Sequence, residues 1–143
     1  MTERDAGNAV ESAIATARVR ALRTVLLDLH KTLLEIERVR FERLHGRFDN
    51  AHAVLKAVLE DPAFAWLRLL SSLVVRIDER AAARPPLGPE DVSAFADEIH
   101  ALLVSQIADD SFRAEYQRVL QEAPDAVVAH ARVQALLVEY RHR

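Results

Sequence analysis

Apolar residues recur along this chain at intervals of three and four, and no stretch alternates in the way a half-buried strand requires. The spacing predicts six helices. The first starts after Gly7-Asn8, where Asn8 can cap, and runs to Leu44 or Phe48, with the His45-Gly46 pair as its stop. Its later apolar positions, Leu26, Leu33, Leu34, Phe41, Leu44 and Phe48, form one stripe. Its earlier ones, Val10, Ile14, Ala17 and Ala21, lie about 180° away around the axis. One straight helix cannot turn both faces to one core. Either the helix breaks near residues 18–21, or its first turns face a second partner such as another subunit.

Asn50 caps a short second helix with Val54, Leu55, Val58 and Leu59 inward, and Asp61-Pro62 opens a third. The third buries Phe64, Leu67, Leu70, Val74 and Ile77, with Asp78 at the edge of its stripe. Pro85-Pro86-Leu87-Gly88-Pro89 ends it and forms a short, stiff linker. Val92, Phe95, Ile99, Leu102 and Leu103 mark a fourth helix. Asp109, Asp110 and Ser111 are caps for a fifth carrying Phe112, Tyr116, Val119 and Leu120. After Ala123-Pro124-Asp125 a sixth buries Ala126, Val133, Leu136, Leu137 and Tyr140, with His130 on the same face.

Composition agrees with an all-α chain. Only three glycines and five prolines occur in 143 residues, half the chain is hydrophobic, and this length suits one domain. The absence of cysteine excludes disulfides, thiolate nucleophiles and thiolate-held zinc or iron–sulfur clusters. The first twenty residues do not have the pattern of a signal peptide, and apolar runs fall far short of the roughly 20 residues that span a bilayer. A net charge of −3 argues against general nucleic-acid binding. Charge is uneven, however. Residues 18–47 hold eight basic and four acidic side chains, and residues 90–125 hold nine acids and two arginines. Attraction between these segments, within the fold or across a dimer, is the simpler reading; a basic surface for an external polyanion is the other.

The sharpest chemical signal lies on the first helix. Arg23, His30 and Glu37 are spaced by seven and fall within about 40° of one another beside the apolar stripe. Asp78 and His130 are the inward-facing ionisable candidates on other helices. Such groups enter a core when paired, hydrogen-bonded or used. Two readings of this buried polar column stand. It is a structural network, for example Arg23 with Asp78 or His30 with Glu37 through water, that fixes helix register. Alternatively it is a pocket between helices in which polar groups converge on a ligand.

Glu42-Arg43-Leu44-His45 has the Glu-x-x-His spacing of metal-binding bundles, with Asp97 and His100 as a conceivable counterpart. Both pairs point away from their apolar stripes, so no metal site is assigned, and Glu42 with His45 is kept as the weak alternative. No nucleophile elbow and no phosphate-binding glycine loop occurs. Trp66 stands among leucines at helical spacing and is expected in the core.

Residues Leu29-His30-Lys31, Glu37, Phe41 to Gly46, Asp61 to Leu67 and Ile77-Asp78-Glu79 together resemble small all-helical bacterial proteins, over about residues 26–80. The resemblance implies no activity and carries over no functional residue. It singles out Asp61, Trp66, Asp78 and Glu79 for testing.

The sequence thus leads to an all-α, single-domain bundle of about six helices over residues 1–143, with residues 1–20 as an arm or dimer contact. The expected function is that of a soluble, cytoplasmic binding or interaction module, with a small-molecule pocket around His30 and Glu37. The alternative is an enzyme or sensor with a His/carboxylate site in the bundle core. No cofactor is implied. Self-association and a small-molecule ligand are the expected partnerships, without nucleic acid or membrane.

Overall fold

Thr2, not Asn8, starts the first helix. Its hydroxyl accepts from the Asp5 amide at 3.1 Å while the Asp5 carboxylate accepts from the Thr2 amide at 3.2 Å. This capping box satisfies two amides that helix geometry leaves unpaired, so the Gly7-Asn8 pair is absorbed into the helix. The computed structural model describes residues 2–105 and 110–141. Helix α1 spans Glu3–His45, 43 residues, or about 65 Å. It stops at Gly46, whose φ of 90° suits a residue without a Cβ and whose amide donates to the Glu42 carbonyl at 2.8 Å.

No break occurs near residues 18–21. The core stripe runs unbroken through the middle of α1 as Ala15, Val19, Leu22, Leu26, Leu29, Leu33 and Glu37, all buried. The other early face is simply left outward, with Val10 59% and Ile14 47% exposed. Leu44, expected on the stripe, is 68% exposed.

Helix α2 (Ala51–Glu60) is capped by Asn50, whose Oδ1 accepts from the Ala53 amide at 2.9 Å. It buries no residue fully. Leu55 and Leu59 point outward, against expectation, and Val54, Ala57 and Val58 face in, because α2 packs mainly on the short 3₁₀ helix that follows. Asp61 caps that 3₁₀ helix, Pro62–Leu67, which places Phe64, Trp66 and Leu67 in the core before α3 (Arg68–Ala82) begins. The linker is fixed at both ends. Leu87 is buried, and Arg80 donates to the Pro85 carbonyl at 2.8 Å and to both Asp91 oxygens at 2.9 and 3.0 Å.

Helices α4 (Pro89–Leu103), α5 (Asp110–Glu122) and α6 (Pro124–Arg141) complete six α-helices among the described residues, with no strand. Asp109, one of the expected caps of α5, lies outside the described residues. Helix α1 is the central element, packed against α3, α4, α6 and the 3₁₀ helix. The Arg18 guanidinium lies 5.5 Å from the centre of the Tyr140 ring, and residues 20–25 face 132–136, so α6 runs antiparallel to α1. Leu22, Leu26, Leu29 and Leu33 are wholly enclosed, each contributing about 1.5–3 kcal/mol through burial. No helix among the described residues is long and apolar enough to cross a membrane.

Candidate functional site

The polar column expected along α1 is divided by the fold into separate arrangements. Arg23 and Asp78 pair as anticipated, through Nε to Oδ1 at 2.5 Å and Nη2 to Oδ2 at 3.2 Å. The pair sits at the surface, however, with both side chains more than a third exposed. Their positions at the edges of their stripes place the heads in water, which screens the pair and leaves it little to contribute to stability. The hydrogen bond raises the Arg23 pKa further, helped by the Asp78 charge. His30 is half-buried and makes no hydrogen bond with a described residue. Burial lowers its pKa, favouring the neutral ring.

Among the described residues Glu37 alone is a buried charged side chain, 2% exposed. Its partner is Arg118 on α5, whose Nη2 donates to Oε1. Arg118 is held in place by its own helix: it donates to Glu115 Oε2 at 2.8 and 3.1 Å and to Glu122 Oε2 at 3.4 Å. Burial works against its charge, but the hydrogen bonds it donates to Glu37 and Glu115 prevail and hold its pKa above the ordinary arginine value. Arg40 approaches Glu37 Oε2 at 3.8 Å. One buried carboxylate thus fastens α5 to α1, as a structural reading of the column requires.

Arg118 was not foreseen, since it lies outside the Phe112–Tyr116–Val119 face of α5. Its flanking Glu115 and Glu122, three and four residues away, are the sequence signal that marked it. The pairing also reverses the expected attraction between segments: the acid comes from the basic stretch and the arginine from the acidic one. Asp91, Asp97 and Glu98 pair with Arg80, Arg141 and Arg76 instead.

His130 ends a row of rings. Trp66 to Phe112, Phe112 to Tyr116 and Tyr116 to His130 have centroid separations of 5.5, 5.5 and 5.6 Å. Burial raises the Tyr116 pKa and lowers that of His130. The phenol therefore keeps its proton and shares a hydrogen bond of 2.6 Å with the neutral imidazole at Nδ1. The five candidates do not converge: Arg23 with Asp78, Glu37 with Arg118 and His130 with Tyr116 are three distinct pairings. Glu42 is taken up by Arg38, and His45 packs on the Phe41 ring at 4.5 Å. Among the described residues no group of three or more His, Asp or Glu side chains stands close enough to hold a metal ion.

Two surface features remain. A cleft of about 530 Å³ opens beside the polar cluster, lined by Arg40, Trp66, Leu69 and Glu115 among others. Trp66 Nε1 is buried and finds no hydrogen-bond partner among the described residues. Between α1 and α6 runs a groove of about 620 Å³ walled by Ala17, Ala21, Val25, Ala135 and Leu136, together with Arg20, Thr24 and Arg132.

This groove belongs to a broader apolar surface. Helix α6 buries Ala126, Ala129, Val133, Leu137 and Tyr140 on one side. On the other it exposes Val128, Ala131, Ala135 and Val138, spaced by three, four and three. The first half of α1 does the same with Val10, Ile14 and Ala17 outward and Ala21 half-covered. A helix that is apolar on both sides is normally covered on both. Comparison with protein-family models, curated proteins and solved structures finds no match for this chain.

Proposed function

We propose that this chain is a helical interaction module whose working surface is the outer face of α1 and α6. The observation that carries the proposal is the two-sided apolar character of these helices, with Val10, Ile14, Val128 and Val138 outward around an alanine-walled groove. Small residues let a partner backbone approach closely, and large exposed apolar surface marks contact sites. The occupant is a helix that presents apolar side chains three and four residues apart. The Glu37–Arg118 pair is then a device of assembly inside the module, fixing how α5 docks.

The chain has no cysteine, so a single introduced thiol reports on one place. Ala135→Cys in the groove is compared with Gln121→Cys, exposed at the end of α5. In the producing cell the thiol at position 135 reacts with a maleimide about tenfold more slowly than that at 121, as for a face about 90% occupied. Equal rates at the two positions contradict the proposal.

A second reading places a small-molecule ligand in the cleft beside Trp66, favoured by the Arg40 guanidinium standing among apolar walls there. Arg40 and Leu69 suit an apolar body with a carboxylate. Trp66 is the only tryptophan, so its emission reports directly on the cleft. The reading predicts a shift with a small apolar carboxylic acid that Arg40→Ala abolishes. Unchanged emission across a panel of such acids sinks it.

A further inference from the structure

The outward face of α1 is self-complementary, and we infer that its occupant is the same face of a second copy, laid antiparallel across it. The inference rests on reading the α1–α6 surface as a docking surface, and adds the identity and register of the partner.

Val10, Ile14, Ala17, Ala21 and Thr24 follow one another at intervals of four, three, four and three, the spacing of a helix-pairing seam. A two-fold axis passing between residues 15 and 16 sets Val10 of each copy against Ala21 of the other, and Ile14 against Ala17. Each layer then joins a large side chain to a small one. The receiving alanines are those that wall the groove with Ala135, so the projecting Val10 and Ile14 of one copy have a recess in the other. A seam of only large residues would hold the helices apart, and one of only small residues would leave voids.

The charges fit the same register. In an antiparallel pair the residues on the same flank of the seam meet across it, which brings Glu11 of each copy to Arg18 of the other, twice by symmetry. A parallel pairing in register instead brings opposite flanks together, which sets Glu11 beside Ala6 and Arg18 beside Ala13 and loses both charge pairs. Glu3 and Asp28 fall at one level in the antiparallel arrangement and repel, so the seam ends inside them, at Gly7 and Thr24. Those 18 positions span about 27 Å, enough for two full heptads. Arg18 is half-buried, with its guanidinium over the Tyr140 ring of its own chain.

Sedimentation equilibrium on the full chain tests this with Glu11→Arg, Arg18→Glu and the double exchange, each checked for unchanged helicity by circular dichroism. The wild-type chain is expected to sediment as a dimer of the 16.1 kDa protomer. Each single reversal loses two symmetric pairs and creates two repulsions, weakening the dimer about tenfold or more. The double exchange restores the attraction in the opposite sense and recovers most of the affinity. A double variant no tighter than the singles overturns the antiparallel register. A wild-type chain that stays monomeric overturns self-pairing. If Ala135→Cys is nevertheless shielded in the cell, the docking surface stands with another protein as its occupant, and only the inference is lost.

Discussion

Glu37 and Arg118 share one hydrogen bond but do not depend on it equally. Arg118 keeps Glu115 and Glu122 when Glu37 is neutralised, whereas Glu37, nearly inaccessible to water, keeps only a distant Arg40 when Arg118 is removed. Urea denaturation should therefore find Arg118→Met costing about 3–5 kcal/mol and Glu37→Gln less, about 1–3 kcal/mol. Replacing both by apolar residues should recover much of the loss, since no charge is then stranded. Equal small costs for both single variants would mean that the pair is not buried in solution. His130 gives the pH dependence. Its folded pKa lies below the unfolded value of about 6.5, so the unfolded chain takes up the proton first as pH falls. Stability is full above that value and declines as pH drops toward the folded pKa, with His30 acting in the same direction. His130→Asn should flatten the acid limb of a stability–pH curve, and an unchanged limb would refute this. Glu37 was legible in the sequence as an ionisable group on an apolar stripe. Its partner was not, because the wheel of α5 places Arg118 off the apolar face, and only the docking of α5 on α1 brings the two together.

Among the elements, α1 carries the most information. Its stop at Gly46 was legible from glycine after the last periodic residue, and the backbone there gives the reason in its positive φ. Gly46→Ala should cost about 1–3 kcal/mol by denaturation although a Cβ would meet no neighbour, because the strain is in the backbone alone. A negligible cost would show that the helix ends elsewhere. Its start was misplaced by several residues, since Thr2 and Asp5 offer a capping box that Asn8 does not. The two opposed apolar faces were visible too, but the sequence left open whether the helix breaks or faces a partner. Ala15 and Val19 decide for continuity, as they extend the core stripe to the earlier turns. For α2, the apolar run at Val54–Leu59 left the inward side ambiguous, and the peripheral position of that helix leaves Leu55 and Leu59 in water.

At the scale of the molecule, the polar groups that first suggested a site are distributed among pairs that tie helices together, while the unsatisfied surface is apolar and lies outside. The all-α bundle and most core positions followed from periodicity. The outer face of α6 was not anticipated, because a helix apolar on both sides carries no sign of which side is inward. One measurement separates a covered face from a bare one with no substitution at all. Isoleucine methyl groups are observed by NMR in the wild-type chain with a soluble paramagnetic probe, over a dilution series. Ile14 is 47% exposed in the single chain, whereas Ile77 and Ile99 are enclosed. The account predicts that the Ile14 methyl is shielded like those of Ile77 and Ile99 at high concentration and becomes broadened by the probe on dilution. An Ile14 methyl fully accessible to the probe at every concentration would contradict the pairing of this face with a second copy.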